Sequence, residues 1–167
     1  MTEKILAKGD FIYSCLAAYF KGKDVEVYNT NSDDMSFDLI CLENISPEEF
    51  GETEFHCPII NLHYSLLPSF KEKDAEKKAF LSGVKVSGVT IHSVFDNEFY
   101  GKILAQYPVL IGSTTHYDEY LAELRAVSSK ILPPVAEAIL NDRVFDFSDL
   151  FKHNCSGSCG SCAGCGH

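Results

Sequence analysis

Two polar side chains stand where an apolar segment of the chain ends. Pro58-Ile59-Ile60 is typical of a buried strand, and Asn61 and His63 follow directly. In an open parallel sheet, ligands bind at the edge where the strands end. The apolar loop Ser65-Leu66-Leu67-Pro68 comes next and could form a wall for a flat ligand. These features predict a ligand site, and the alternative is that Asn61 and His63 are ordinary turn residues.

A cysteine cluster near the C-terminus is the second candidate site. Four cysteines with the spacing C-x3-C-x2-C-x2-C are flanked by His153 and His167: Cys155, Cys159, Cys162 and Cys165. Closely spaced thiolates suit an Fe–S cluster or a thiophilic metal ion. Structural zinc usually uses two C-x2-C pairs across a longer loop, so zinc fits this spacing less well. A flexible tail that binds metal without a defined site is the alternative.

The first half of the chain predicts an α/β fold. Short apolar strands are expected near Ile5, Val25, Leu39 and Ile59, and helical patterns follow the first and third of them. Asp10 is expected to cap the first helix, because its carboxylate can accept from free backbone N–H groups. Strands and helices that alternate in this way imply a parallel sheet with right-handed crossovers.

The second half continues with a helix over residues 74–82, which Gly83 closes, and strands over residues 89–95 and 103–111. A capping box at Thr115 then predicts the start of a long amphipathic helix. Pro133-Pro134 is expected to interrupt or kink this helix, because proline lacks the backbone N–H that a helix needs.

Length and composition restrict the class of protein. A chain of 167 residues with 46% hydrophobic and 23% charged residues fits one compact domain. Its formal net charge of -10 disfavours a nucleic-acid partner, because like charges repel. No apolar run approaches the roughly 20 residues needed to cross a bilayer, and the first residues lack the features of a secretory signal. We therefore expect a cytoplasmic protein without a membrane partner.

The chain has seven cysteines, an odd number. Because the sequence shows no secretory signal, we expect a reducing compartment, and this argues against a framework of disulfide bonds. Cys15, Cys41 and Cys57 lie in apolar stretches. We expect these three to be small buried hydrophobic residues.

The segment that begins at Asn61 resembles a known signature. Residues 61–68 read N-L-H-Y-S-L-L-P, which is similar to the N-[IV]-H-x-S-L-L-P motif of the folate-dependent formyltransferases. Four further features keep the spacing of that family: Gly83, Gly88, Thr90-Ile91-His92 and Asp96. Residues 131–144 are similar to the closing helix and turn of its glycinamide ribonucleotide branch.

This resemblance implies a Rossmann-like formyltransferase fold, with a mostly parallel sheet flanked by helices. It implies that an amine of a small-molecule acceptor attacks the formyl carbon of 10-formyltetrahydrofolate, as in purine biosynthesis. Asn61 and a protonated His63 would stabilise the resulting oxyanion, a contribution of about 2.7–4 kcal/mol for such a donor. The residues that would bind substrate or cofactor are Leu67, Pro68, Thr90 and His92. The alternative for His92 is a hydrogen-bonded core histidine.

Three features depart from the family pattern. The position of the family's catalytic aspartate is Phe99, whose ring cannot accept a proton. The nearby carboxylates are Asp96, a candidate catalytic residue, and Glu98, a candidate binding residue. Lys71-Glu72-Lys73 replaces the arginine–glycine that usually follows the Leu-Leu-Pro loop. The glycine-rich loop that holds the acceptor's phosphate is absent at residues 8–11, where an aspartate would repel phosphate.

These patterns divide the chain into a formyltransferase-like domain over residues 1–148 and a metal-binding tail over residues 149–167. The leading hypothesis is an enzyme that uses a 10-formyltetrahydrofolate-type donor on a small molecule. One alternative is a hydrolase that releases formate from that donor. The other is a non-catalytic protein whose tail serves metal sensing, trafficking or electron transfer. A redox or metal-delivery partner and a homodimer are left open.

Overall fold

The structure is a computed structural model and describes residues 2–30, 36–50, 56–95, 98–146 and 148. The predicted metal-binding tail lies outside these residues. In chain order the elements are β1 (Glu3–Lys8), α1 (Asp10–Phe20), β2 (Val25–Tyr28), β3 (Leu39–Glu43), α2 (Pro47–Phe50), β4 (Ile59–His63), α3 (Ala75–Leu81), β5 (Val86–Val94), β6 (Ile103–Leu110) and α4 (Tyr117–Leu140).

The strands form one six-stranded sheet with the order β2-β1-β3-β4-β5-β6. The first four strands of the chain are parallel, and β5 and β6 are each antiparallel to their neighbours. The prediction of a mostly parallel sheet flanked by helices is therefore confirmed. The chain passes from β1 to β2 on one side and then to β3 on the other. The crevice between the ends of β1 and β3 is thus a topological switch point, where α/β sheets commonly bind ligands.

One face of the sheet is covered by α1 and α4. Helix α1 buries Ile12, Leu16 and Phe20, whose spacing of four residues places them on one side of the helix. They join Leu62 of β4 and the buried stripe of α4 in the larger apolar core. Each such buried side chain contributes about 1.5–3 kcal/mol to folding.

The opposite face of the sheet carries the buried polar residues. Its apolar part is a smaller cluster of Leu6, Ile40, Leu42, Ile59 and Val94. Side chains alternate between the faces of a strand, so Asn61 and His63 share this face with Ile59. By the same alternation, Thr90 and His92 of β5 share it with Val94. The face that lacks the long helices is therefore the one that carries the candidate site.

Two predicted boundaries at the ends of strands were wrong. Asp10 is the first residue of α1 and does not cap it, because Gly9 takes the capping position at φ 147°. This φ favours glycine, and a Cβ on Gly9 would also overlap with the carboxylate of Glu43. Strand β4 does not end before Asn61 and His63, because both residues pair with β5.

Helix α4 runs unbroken through Pro133 and Pro134, so the predicted interruption was wrong. A proline leaves the carbonyl four residues earlier without its helical donor. For Pro133 that carbonyl belongs to Ser129, and the thiol of Cys15 in α1 donates to it at 3.7 Å. The burial of Pro133 and its neighbours offsets the remaining cost of the two prolines.

The capping residue of α4 lies one residue beyond the predicted one, and the helix begins at Tyr117. His116, not Thr115, is the capping residue, and its N–H donates to the Glu119 carboxylate at 2.9 Å. Within the described ranges, no helix is long and apolar enough to cross a bilayer.

The cysteines of the described residues are free thiols. Cys41 is buried as predicted, whereas Cys15 and Cys57 are only partly buried. Burial raises the pKa of the Cys15 thiol to about 11, so this group stays protonated and serves as a hydrogen-bond donor.

Candidate active site

The pairing of β4 with β5 brings four polar side chains together. Asn61 lies opposite His92, and His63 lies opposite Thr90. The Cβ atoms of directly opposed residues are about 4.5–5.5 Å apart. All four residues are nearly inaccessible, with exposed fractions of 0% to 3%. Predicted site residues from two separate segments therefore form one cluster.

The side-chain amide of Asn61 is fully engaged within the protein. Its Nδ2 donates to the Ile45 carbonyl at 3.1 Å and to Nε2 of His92 at 3.2 Å. Its Oδ1 accepts from the Ile45 N–H at 3.3 Å. The two bonds to Ile45 fix which end of the amide carries the hydrogens. The oxyanion-stabilising role predicted for Asn61 therefore requires the release of one N–H group.

His92 is an uncharged partner of Asn61. Its Nδ1–H donates to the Ser93 carbonyl at 3.0 Å. Because a carbonyl can only accept, the neutral ring keeps its lone pair on Nε2, where Asn61 donates. Burial is the main cause that lowers the pKa of His92 to about 4, and the nearby His63 lowers it further. The Ser93 carbonyl acts in the opposite direction.

His63 presents an unpartnered nitrogen. Its Nε2–H donates to the carbonyl of Phe70 at 2.9 Å, so the neutral ring has its lone pair on Nδ1. Among the buried side-chain nitrogens and oxygens of the described residues, only this Nδ1 has no hydrogen-bond partner. Burial lowers the pKa of His63 below its ordinary value, and the Phe70 carbonyl and the charge of Glu76 oppose this shift. In this state His63 can accept a proton, and it stabilises an oxyanion only after it has been protonated.

The apolar loop after β4 is tied to the sheet by two side chains. Thr90 Oγ1 donates to the Ser65 carbonyl at 2.7 Å and accepts from the Leu67 N–H at 3.0 Å. Gln106 Nε2 donates to the Leu67 carbonyl at 2.9 Å and to Thr90 Oγ1 at 3.0 Å. Leu67 is buried, and Pro68, which follows a cis peptide bond, is exposed. Gln106 could not be predicted from the sequence, because only the β5–β6 register places it beside Thr90.

Two aromatic side chains after β5 cover the cluster. The ring centroid of Tyr100 lies 5.3 Å from that of His92 and 5.9 Å from that of His63. The ring of Phe99 lies 5.7 Å from that of His92. The Tyr100 hydroxyl donates to the Lys71 carbonyl. Tyr100 could not be predicted from the sequence, because nothing in the pattern of this segment shows that the turn folds back over the strand.

A cavity of about 580 Å³ opens beside Tyr100 and is lined by three lysines and three glutamates. Two of these lysines are paired with glutamates. The third is Lys71, whose Nζ lies 5.5 Å from the centroid of the Tyr100 ring. A second cavity of about 630 Å³ lies at the other end of β4 and has a largely apolar lining. We assign the candidate site to the first cavity, because Tyr100 joins it to the buried histidines.

The predicted binding residue Glu98 lies outside this cluster. Glu98 is exposed, and its backbone bridges to Phe95. Asp96 and the four cysteines of the tail lie outside the described residues. Within the part of the chain that the structure describes, no group of three or more His, Cys, Asp or Glu side chains could hold a metal ion.

The fold and this cluster define an α/β protein with a mostly parallel sheet and a buried polar site on its paired strands β4 and β5. A family model described as formyl transferase matches residues 28–136, more than half of the chain. The chain therefore belongs to the formyl transferase family, as the motif at residues 61–68 predicted.

Curated relatives match part of the chain. A phosphoribosylglycinamide formyltransferase of Bacillus subtilis (strain 168) is 37% identical over 82 residues, which cover 49% of this chain and 42% of the relative. A formyltetrahydrofolate deformylase of Escherichia coli (strain K12) is 32% identical over 91 residues, which cover 54% of this chain and 32% of the relative. The chain thus spans less than half the length of either relative.

Solved structures match over most of the chain. That of a phosphoribosylglycinamide formyltransferase from Anaplasma phagocytophilum has a TM-score of 0.66 at 24% identity, over 84% of this chain and 86% of the other. A glycinamide ribonucleotide transformylase 1 from Geobacillus kaustophilus has a TM-score of 0.61 at 20% identity, over 84% of this chain and 100% of the other. At these identities the likeness shows a common fold.

Proposed function

We propose that the chain is an enzyme that transfers a formyl group from a 10-formyltetrahydrofolate-type donor to a small molecule. Membership of the formyl transferase family supports this reaction class. The observation that carries the proposal is the unpartnered Nδ1 of His63, buried beside Asn61 and next to a charged cavity. An unsatisfied buried nitrogen is costly to keep, so its retention favours a function.

In this proposal His63 moves one proton. The neutral amine of the acceptor attacks the formyl carbon, and its N–H proton passes to Nδ1 of His63. The tetrahedral intermediate then breaks its bond to the donor nitrogen, and the imidazole returns the proton to that leaving nitrogen. The carbonyl of Phe70 supports both steps, because it holds the ring with its lone pair on Nδ1.

Asn61 stabilises the oxyanion by exchanging one hydrogen bond. The two bonds between its amide and Ile45 hold the side chain in place. The remaining Nδ2–H now donates to His92, and the formyl oxygen can take over this hydrogen as it gains negative charge.

Donor turnover with a histidine variant tests the proposal. We would incubate the chain with 10-formyltetrahydrofolate and a panel of primary amines, and measure formylated amine by mass spectrometry. His63→Ala should lower the rate by about 10²–10⁴-fold, the usual contribution of a general base. His56→Ala, which changes an exposed histidine before β4, is the matched control and should keep the rate. Equal rates in His63→Ala and wild type would show that His63 is not the base.

Hydrolysis of the donor is a second candidate reaction. The lone pair on Nδ1 of His63 can equally accept a proton from water, which would then attack the formyl carbon and release formate. The relative from Escherichia coli is named a deformylase, and this name supports hydrolysis of the donor as the second candidate. Formate release in the absence of any amine, lost in His63→Ala, would identify the hydrolase.

We also propose that residues 149–167 bind an Fe–S cluster or a zinc ion through Cys155, Cys159, Cys162 and Cys165. The spacing and softness of the four thiolates support this assignment. Phe99 and the covered histidines favour the alternative in which the chain does not catalyse a reaction. In that case the tail would carry the function through a redox or metal-delivery partner.

A further inference from the structure

The crevice at the switch point of the sheet contains a carboxylate of the chain itself. Glu43 ends β3 and is half-buried, and its Oε2 lies 3.5 Å from the backbone nitrogen of Ile12 in α1. Gly9, between β1 and α1, approaches this carboxylate so closely that a Cβ there would overlap with it. Glu43 therefore occupies the space between the ends of β1 and β3.

Tyr64 holds the other oxygen of this carboxylate. Its hydroxyl donates to Oε1 of Glu43 at 3.1 Å. Burial, and after it the charge of Glu43, raises the pKa of Tyr64, so the hydroxyl keeps its hydrogen. The N–H of Tyr64 also donates to Oδ1 of Asn44 at 3.2 Å, which fixes the residue beside Glu43. The carboxylate is thus held in the crevice from two sides.

The same position would otherwise suit an anion from outside the protein. The first N–H groups of a helix have no partner within the helix, and they commonly bind phosphate at a switch point. Here the N–H of Ile12 faces Glu43, and Asp10 adds a second negative charge to the first turn of α1. Arg125 of α4 is a cation near this crevice: it lowers the pKa of Tyr64, and its guanidinium carbon lies 5.7 Å from the centroid of the Phe11 ring.

The crevice and the candidate site lie on opposite faces of the sheet and meet at its edge. Glu43 pairs with Leu62, whose side chain lies on the face that α1 covers, whereas Asn61 and His63 lie on the other face. His63 is the last residue of β4, and Tyr64, which bonds to Glu43, follows it directly. A small molecule that reacts at His63 and reaches the crevice would therefore cross the end of β4.

We propose that Glu43 determines which acceptor is used, because its carboxylate fills the crevice and excludes a phosphate group. The acceptor of the formyl group is then an unphosphorylated small molecule. The statement about the acceptor rests on the proposed function, whereas the exclusion of phosphate is a property of the folded chain alone.

Binding of inorganic phosphate to the full chain tests this proposal. Glu43→Ala should bind phosphate at least about tenfold more tightly than wild type, because it removes both the bulk and the repulsion of a like charge. Amide chemical shifts of Gly9 and Ile12 and a rise in Tm would report this binding. Glu43→Gln keeps the bulk and the bond from Tyr64, and it separates the effect of charge from that of space.

The matched control is Glu123→Gln, which removes one negative charge from an exposed position on α4. It should bind phosphate as weakly as wild type. Phosphate binding by wild type with shifts at Gly9 and Ile12 would overturn the proposal, and so would the absence of binding in a folded Glu43→Ala variant. The donor-turnover assay is a separate experiment. If it showed no formyl transfer, the statement about the acceptor would be wrong, but the result for phosphate binding at Glu43 would not change.

Discussion

His63 and His92 lie side by side in the candidate site but carry their hydrogens on different nitrogens. The Phe70 carbonyl holds the hydrogen of His63 on Nε2, and the Ser93 carbonyl holds that of His92 on Nδ1. The lone pair of His92 is used by Asn61, whereas that of His63 is free. Two residues of one type thus have different chemistry, because different backbone carbonyls face them.

The pH dependence of formyl transfer should identify the working form of His63. Because burial lowers its pKa below the ordinary value of 6.5, His63 is neutral at neutral pH. If Nδ1 acts as a base, the rate stays constant as the pH falls to this pKa and then decreases below it. A profile of kcat/KM against pH, with the pKa of His63 measured separately by NMR, tests this. A rate that instead increases on acidification would show that the protonated ring is the active form.

His92 should make the fold sensitive to mild acid. Its pKa is lowered from 6.5 to about 4 in the folded chain. Below pH 6.5 the unfolded chain therefore takes up the proton first, and the free energy of unfolding decreases until the pH reaches about 4. The shift corresponds to about 3 kcal/mol over this window. Urea unfolding at a series of pH values measures this loss, which His92→Gln should reduce.

Phe99→Asp should change the pKa of His92 in the opposite direction to burial. A carboxylate at the position of the Phe99 ring would face His92, because the two ring centroids are 5.7 Å apart. An opposite charge at such a distance favours the imidazolium, so the pKa of His92 should rise. NMR titration would detect the change, and Phe50→Leu, which alters a ring that packs on Phe99, controls for lost aromatic contact. An unchanged pKa would mean that the new carboxylate points away from the site.

At the scale of elements, β5 and β6 position the loop that follows β4. Thr90 bonds to the Ser65 carbonyl and the Leu67 N–H, and Gln106 of the edge strand donates to the Leu67 carbonyl and to Thr90 Oγ1. Helix α4 shows a similar cooperation, because the thiol of Cys15 replaces a donor that Pro133 lacks. In both cases a neighbouring element satisfies backbone groups that the local segment leaves open.

Thr90→Val should loosen the loop at residues 65–68. The substitution keeps the shape but removes the hydroxyl, which leaves the Leu67 N–H and the Ser65 carbonyl without this partner. An unsatisfied buried backbone group costs about 1–3 kcal/mol, and we expect a loss of that size in urea unfolding. Thr90→Ser keeps the hydroxyl and should lose less. A Thr90→Val variant as stable as wild type would show that the two bonds of the hydroxyl do not stabilise the loop.

At the scale of the whole molecule, the proposed metal-binding tail should be independent of the folded domain. Fourteen residues rich in Gly, Ser, Cys and Ala, from Asn154 to His167, offer too little apolar surface to fold without a ligand. After anaerobic reconstitution, the wild type should contain iron and sulfide, or about one zinc ion for each chain. Cys159→Ser combined with Cys162→Ser should abolish this content and leave the Tm of the apo domain unchanged.

Cys57→Ser is the matched control, because Cys57 is a partly buried thiol outside the tail. It should keep the metal content of wild type. If a variant with serine at all four tail cysteines bound as much metal as wild type, the tail would not be the site. The described cysteines, Cys15, Cys41 and Cys57, would then have to be tested one by one.

The sequence by itself determined the order of elements and the family. Apolar runs near Ile5, Leu39 and Ile59 predict buried strands, because such runs are stable only where a sheet buries them on both faces. The structure confirms these strands as parallel. The motif at residues 61–68 predicted the family that the family model shows. The motif also named Asn61 and His63, and the spacing of the family named Thr90 and His92; the structure brings these four residues together in one cluster.

Only the tertiary structure decided what state these residues are in. The protonation of His63 depends on the carbonyl of Phe70, and the unbroken α4 depends partly on a thiol from α1. Tyr100 covers the site, and Glu43 fills the crevice at the switch point. Patterns in a sequence report which side chains prefer burial over short stretches of chain. Which carbonyl, ring or carboxylate then faces a given side chain depends on how distant segments pack, and this packing sets the chemistry of the site.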